Sequence, residues 1–149
     1  IDENVYRLGV LMLIRRNDGN EYLIIRKKDR NEWQMPAGGR HGKETVMETF
    51  KREFIEELGK FDFDMKTKIS YVIHEYEFPE ELKKKRNCFG QRQFIVIVDL
   101  LEDVDFIPDG EEVEEIKFIQ KEKLLSSLSH KNLCETIKKM ESFGEISLG

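Results

Sequence analysis

The chain has 149 residues, enough for one domain around one hydrophobic core. Its composition, 37% charged and 39% hydrophobic, excludes a disordered chain, and no apolar run approaches the ~20 residues of a membrane-spanning helix. The net charge of −5 argues against bulk electrostatic binding of nucleic acid, so an anionic ligand must be met by local cations or a metal.

In chain order, Ile1-Asp2-Glu3-Asn4 carries neither a basic nor an apolar leader region. No secretory signal and a cytoplasmic location are therefore expected. Val5 to Arg15 is an apolar, β-rich run that reads as a strand, Asn17-Asp18-Gly19-Asn20 as a hairpin turn, and Glu21 to Arg26 as the returning strand. Asp29 to Glu32 is loop-like. Trp33-Gln34-Met35-Pro36 is a short extended piece, because Pro36 disfavours helix at Met35. Ala37 to Lys43, with Gly38, Gly39 and Gly42, reads as a loop. Thr45 to Leu58 predicts the strongest helix, with Val46, Met47, Phe50, Phe54 and Leu58 at three- and four-residue spacing and Gly59 as its stop.

Ile69 to Phe78 and Gln91 to Leu101 read as strands paired in a long hairpin. Between them lies Pro79 to Gly90, whose basic run Lys83-Lys84-Lys85-Arg86 reads as a solvated loop. Val113 to Ile119 predicts another strand, and Lys121 to Phe143 helix in two pieces broken near Ser126 to Ser129. Strands interspersed with helices give an α/β class in a single domain, residues 1–149. Cys88 and Cys134 are far apart and read as two buried free thiols, and no Cys/His spacing suggests zinc.

The chemistry concentrates on the middle helix. Glu53, Glu56 and Glu57 fall at i, i+3 and i+4, one acidic patch whose members repel each other unless a cation sits among them. Hard divalent ions take carboxylate oxygens, and Mg²⁺ bridges such groups to phosphates. A solvated acidic face with Lys51 and Arg52 as counter-ions is the competing reading. Just upstream, Gly38 and Gly39 allow close backbone approach and can aim N–H groups at an anion. Arg7 and Arg26 are further phosphate candidates, since a guanidinium matches phosphate oxygens in a fork. Trp33, Tyr76, Phe78 and Phe89 are candidates for base stacking or for the core. His41, His74 and His130 read as ordinary structural or surface histidines.

Together, loop and helix resemble the Nudix box: Gly38, five residues, Glu44, seven residues, then Arg52-Glu53-Phe54-Ile55-Glu56-Glu57-Leu58-Gly59. Lys60 departs from the apolar residue that closes the box. The resemblance implies an α/β/α sandwich with a mixed sheet flanked by helices. It implies Mg²⁺, with Mn²⁺ as the alternative ion, held by Glu53, Glu56 and Glu57. It also implies that Arg52 orients the box glutamates, that Glu44 and Gly59 are structural, and that Glu57 or Glu112 takes a proton from water. Glu111, Glu114 and Glu115 compete with Glu112 for that role.

Flanking segments narrow the resemblance. Trp33-Gln34-Met35-Pro36-Ala37-Gly38-Gly39, Tyr6-Arg7, Tyr76-Glu77-Phe78-Pro79 and Gly90-Gln91-Arg92-Gln93 are similar to the RNA pyrophosphohydrolase and dinucleoside polyphosphate hydrolase group. Ala37 and Leu8-Gly9 depart from that group's pattern. The implied activity is hydrolysis of a phosphoanhydride bond in a dinucleoside polyphosphate or at the 5′ end of RNA, with no membrane partner. Alternatives within the fold are an ADP-ribose or sugar-nucleotide pyrophosphatase and a pool-sanitising triphosphate pyrophosphatase. A non-catalytic nucleotide-sensing module is the alternative outside enzymes.

Overall fold

The computed structural model describes residues 5–149, so the reading of Ile1–Asn4 lies outside the described residues. The strands are β1 (Tyr6–Arg16), β2 (Glu21–Lys27), β3 (Trp33–Gln34), β4 (Ala37–Gly39), β5 (Met65–Glu77), β6 (Gly90–Leu100) and β7 (Val113–Gln120). The helices are α1 (Val46–Leu58), α2 (Glu80–Arg86), α3 (Leu124–Ser127) and α4 (Lys131–Ser142). The seven strands form one mixed sheet in the order β3-β2-β1-β6-β5, with β4 on β1 and β7 on β2. β1 and β6 run parallel, and the remaining pairs are antiparallel.

β1 is apolar along its length because both of its faces are covered. Val10, Met12 and Ile14 point to the face that packs against Phe50, Phe54 and Leu58 of α1. Leu11 and Leu13 point to the opposite face, against Leu133, Ile137 and Met140 of α4. The period-two alternation of a strand thus feeds two cores, one on each side of the sheet. At the β1–β2 turn, Asn17 and Asp18 both take left-handed backbone (φ 53° and 56°), the conformation a tight hairpin demands.

Three segments differ from their sequence reading. Ala37–Gly39 is not loop but β4, held antiparallel to β1 through Gly9↔Gly39, Val10↔Gly38 and Leu11↔Ala37. β5 starts at Met65, four residues earlier than the pattern predicts, because its solvent-facing end carries no apolar alternation. The basic run Lys83–Arg86 is not a solvated loop but the second half of α2. There Lys83 is buried, held by Glu77 and Glu80 and lying over the Phe89 ring. Both cysteines are free, Cys88 buried and Cys134 half-buried. Among the described residues, no helix is long and apolar enough to cross a membrane.

Candidate active site

α1 sets the frame of the site. Thr45 caps it: its hydroxyl accepts from the Glu48 N–H at 3.2 Å, and the Glu48 carboxylate accepts from the Thr45 N–H at 3.0 Å. Gly59 closes it in left-handed backbone (φ 88°), donating to the Ile55 carbonyl at 2.8 Å. With Phe50, Phe54 and Leu58 driven into the sheet, Arg52, Glu53, Glu56 and Glu57 are left along the flank that borders β4 and β2.

Arg52 is the hub of that flank. Its Nε and Nη2 donate to the two Glu44 oxygens at 2.8 and 2.9 Å, and Nη2 also reaches the Gly39 carbonyl at 2.7 Å. Its Nη1 donates to Glu53 at 2.8 Å and to Glu56 at 3.3 Å. One guanidinium therefore ties the loop before α1, strand β4 and two of the three carboxylates together. Glu44 is held down to about 2 by this fork and by the His41 N–H. Glu53 is pushed above the ordinary carboxylate range by burial, with Arg52 opposing.

Two adjacent glycines on β4 serve opposite faces of the sheet. A Cβ on Gly38 would overlap the Glu53 carboxylate, and one on Gly39 would overlap the Arg7 guanidinium. Glycine at both positions lets an acid approach from one side and an arginine from the other.

Glu57 is the most deeply buried carboxylate of the patch, its side chain 2% exposed. Lys27 donates to its Oε1 at 3.0 Å, and Oε2 has no hydrogen-bond partner. Burial pushes its pKa up to about 7 against the pull of Lys27. Lys27 reaches Glu57 past a bulge in the β2–β7 ladder, where Arg26 pairs with Glu115 and Lys27 with Val113.

A hard divalent ion fits this donor set, because a buried, unpartnered carboxylate oxygen beside two further carboxylates is what such an ion satisfies. Among the described residues no trio of acidic, imidazole or thiolate groups converges on one point. Glu53 and Glu56 both face Arg52, and Glu57 faces Lys27.

The other expected residues divide. Glu112 is exposed in the turn before β7, near enough for its charge to act on Glu57. That turn is fixed by Asp109, whose Oδ1 accepts from the N–H groups of Glu111, Glu112 and Val113. Glu114 and Glu115 instead face Arg26 at 3.3 and 3.4 Å, so Arg26 is committed to carboxylates at the sheet edge. Arg7 lines a cavity of about 540 Å³ beside β4, and Arg26 is not among its walls.

That cavity also brings in residues outside the expected site. Lys27, Arg30 and Arg86 join Arg7 in its walls, so four cations and no carboxylate line it in a chain of net charge −5. Burial and the nearby Arg86 lower the proton affinity of Arg7. Gln91, Gln93 and His74 form another part of the wall, all three buried. The signal was present in β6, where Gln91 and Gln93 continue the inward period of Ile95 and Ile97. Tyr76 lines the cavity as well, whereas Phe78 is buried.

Residues 5–140 match the family model described as the NUDIX domain. The chain is similar to the RNA pyrophosphohydrolase of Blochmanniella pennsylvanica (strain BPEN), 36% identical over 107 residues, covering 68% of this chain and 66% of that protein. It is also similar to the RNA pyrophosphohydrolase of Hamiltonella defensa subsp. Acyrthosiphon pisum (strain 5AT), 33% identical over 105 residues, covering 67% and 63%. The chain spans just under two thirds of the length of these relatives. The fold is similar to that of the E. coli dihydroneopterin triphosphate pyrophosphohydrolase (TM-score 0.73, 17% identity, 91% of this chain and 97% of that one). It is likewise similar to the C. elegans Ap4A hydrolase (TM-score 0.67, 14% identity, 93% and 98%).

Proposed function

The chain belongs to the Nudix family, and from that membership we propose that it hydrolyses a phosphoanhydride bond in a nucleoside polyphosphate. The favoured substrates are a dinucleoside polyphosphate and the polyphosphorylated 5′ end of RNA. The observation that carries this reading is the orphaned, buried Oε2 of Glu57 on a carboxylate patch next to a cavity lined by cations. The relatives named as RNA pyrophosphohydrolases support the choice of substrate class.

In this mechanism Glu53, Glu56 and Glu57 would hold Mg²⁺, or Mn²⁺ in its place. A divalent ion there would supply neutralisation of phosphate charge and a lowered pKa for bound water. Arg7, with Arg86 and Arg30 from the facing walls, holds the non-reacting phosphates and orients the chain of anhydrides. Arg52 touches no substrate; it fixes Glu53 and Glu56 relative to β4. Glu57 or Glu112 accepts the proton of the attacking water, and the bond between phosphorus and the bridging oxygen breaks as water adds. No covalent enzyme intermediate is required. The same reading places the protein in the cytoplasm, with its nucleotide substrates and no membrane partner.

A panel assay with and without Mg²⁺ tests this reading, comparing diadenosine tetraphosphate, 5′-triphosphorylated RNA, nucleoside triphosphates and ADP-ribose. Metal-dependent cleavage with the first two preferred is expected. A preference for ADP-ribose or for a single triphosphate would transfer the assignment to another activity of the family. Binding of all four with cleavage of none would leave a nucleotide-sensing module.

A further inference from the structure

We propose that Gln91, Gln93 and His74 form a wall that reads the hydrogen-bonding edge of the substrate's nucleobase, a role that rests on the nucleoside polyphosphate reading above. Sheet register puts these side chains together. Gln93 pairs with His74 on β5 and with Gly9 on β1, and Gln91 pairs with Tyr76 and with Arg7. One step along the same face, Ile95 pairs with Leu11 and belongs to the apolar core under α4. Successive inward rows therefore change from apolar to amide and imidazole, and then to amide, phenol and guanidinium. The change occurs where the face meets the cavity.

These polar groups are not surface residues. Gln91, Gln93 and His74 are 4%, 6% and 4% exposed. Neither glutamine side chain hydrogen-bonds to a described residue, and both line the cavity, so their amides are open to a ligand with complementary donors and acceptors. His74 is oriented from behind: its Nδ1 lies 2.7 Å from the Thr136 hydroxyl, which itself donates to the Asn132 carbonyl at 3.2 Å. The Thr136 oxygen therefore accepts from Nδ1–H, leaving Nε2 as the ring's acceptor. Burial and His130 keep this ring neutral, with a pKa lowered to about 4.

The hollow at Gly9 links this wall to the catalytic flank. A Cβ at Gly9 would overlap the Gly38 carbonyl oxygen and the Gln91 amide nitrogen. Gln91 thus lies beside Gly38, the residue whose bareness admits Glu53. Leu11, Met35 and Leu133 supply apolar wall, and Tyr76 a ring. A flat, uncharged group bearing several donors and acceptors suits the Gln93 and His74 end, and phosphates suit the side lined by Arg7, Arg30 and Arg86, with Gln91, the strand partner of Arg7, at the junction between them. A nucleobase joined to a phosphate chain has both parts. Each glutamine offers one donor group and one acceptor, and the His74 acceptor calls for an N–H on the base.

The test is titration calorimetry of the metal-free protein with AMP and with ribose 5-phosphate, which differ only by the base. The wild type is expected to bind AMP at least about tenfold more tightly. Gln93→Leu and Gln91→Leu, which replace the amides with shorter apolar groups, are expected to bring AMP close to ribose 5-phosphate and leave ribose 5-phosphate unchanged. Gln93→Asn, which keeps an amide but shortens it, serves if a leucine variant fails to fold and is expected to act in the same direction. Equal binding of the two probes by the wild type, or equal weakening of both by the variants, would overturn the proposal. Neither probe contains an anhydride bond, so the outcome is independent of the hydrolysis panel. An AMP preference in a protein that cleaves nothing would sink the hydrolase reading and leave the wall standing.

Discussion

Gly38 and Gly39 make their contribution through what they lack. Gly38→Ala places a methyl group on the Glu53 carboxylate, and Gly39→Ala places one on the Arg7 guanidinium. The two neighbours should therefore fail in different ways. Moving a catalytic carboxylate by about 1 Å costs on the order of 100-fold, so Gly38→Ala is expected to lower kcat by about that factor. Gly39→Ala displaces Arg7, the cation proposed to hold phosphate, and is expected to raise KM about tenfold, the loss of one charge-assisted hydrogen bond, with a smaller effect on kcat. Steady-state kinetics on one substrate separates the two. Equal effects from both substitutions would contradict the division of faces. At this scale the box residues were legible because their spacing is local to one loop and one helix. Lys27 on Glu57 was not, because it depends on a bulge in a ladder between strands far apart in sequence.

Among the elements, β5 and α4 meet through His74 and Thr136. In the folded protein the His74 pKa is lowered to about 4 by burial and by His130, whereas the unfolded chain titrates near the ordinary value of about 6.5. The unfolded state therefore binds the proton first as pH falls. The stability linked to this group is fully present above pH ~6.5 and is lost progressively down to pH ~4, by roughly 3 kcal/mol. Urea denaturation at pH 7.5, 5.5 and 4.5 should show the wild type losing stability relative to His74→Asn as pH falls, a difference that separates His74 from Glu57, whose raised pKa acts with the opposite sign over the same range. Identical slopes in the two proteins would remove His74 as the cause.

Most elements could be read from the sequence because their apolar period is strong. β1, α1, β6 and α4 carry patterns that only one secondary structure satisfies. β4 escaped because three residues containing two glycines hold no period, and its pairing with β1 is decided by tertiary contact. α2 escaped because a run of lysines looks solvated. The burial of Lys83 depends on Glu77, Glu80 and Phe89 closing around it.

For the whole molecule, one core fixes α1 against the sheet and the other fixes α4 on the opposite face. Phe54 stands at the centre of the core under α1, fully buried and in edge or tilted contact with Phe50, Phe61, Phe63 and Phe106. Phe54→Ala should cost about 3–5 kcal/mol and lower Tm by about 10 °C, measurable by circular dichroism. A drop of a degree or two would mean that the aromatic cluster does not carry α1. The charge distribution belongs to the same scale: a chain of net charge −5 gathers four cations around one cavity, a local balance that favours an anionic ligand at that place.

The central claim is that Glu57 belongs to a metal-dependent hydrolytic centre. The most direct test compares wild type and Glu57→Gln for Mg²⁺-dependent cleavage of diadenosine tetraphosphate or 5′-triphosphorylated RNA, with thermal melting as a control for folding. The substitution removes a charge that the fold buries at a cost, so Tm should hold or rise while turnover falls by at least about 1000-fold. A folded Glu57→Gln protein that retained near-normal Mg²⁺-dependent turnover would contradict the assignment.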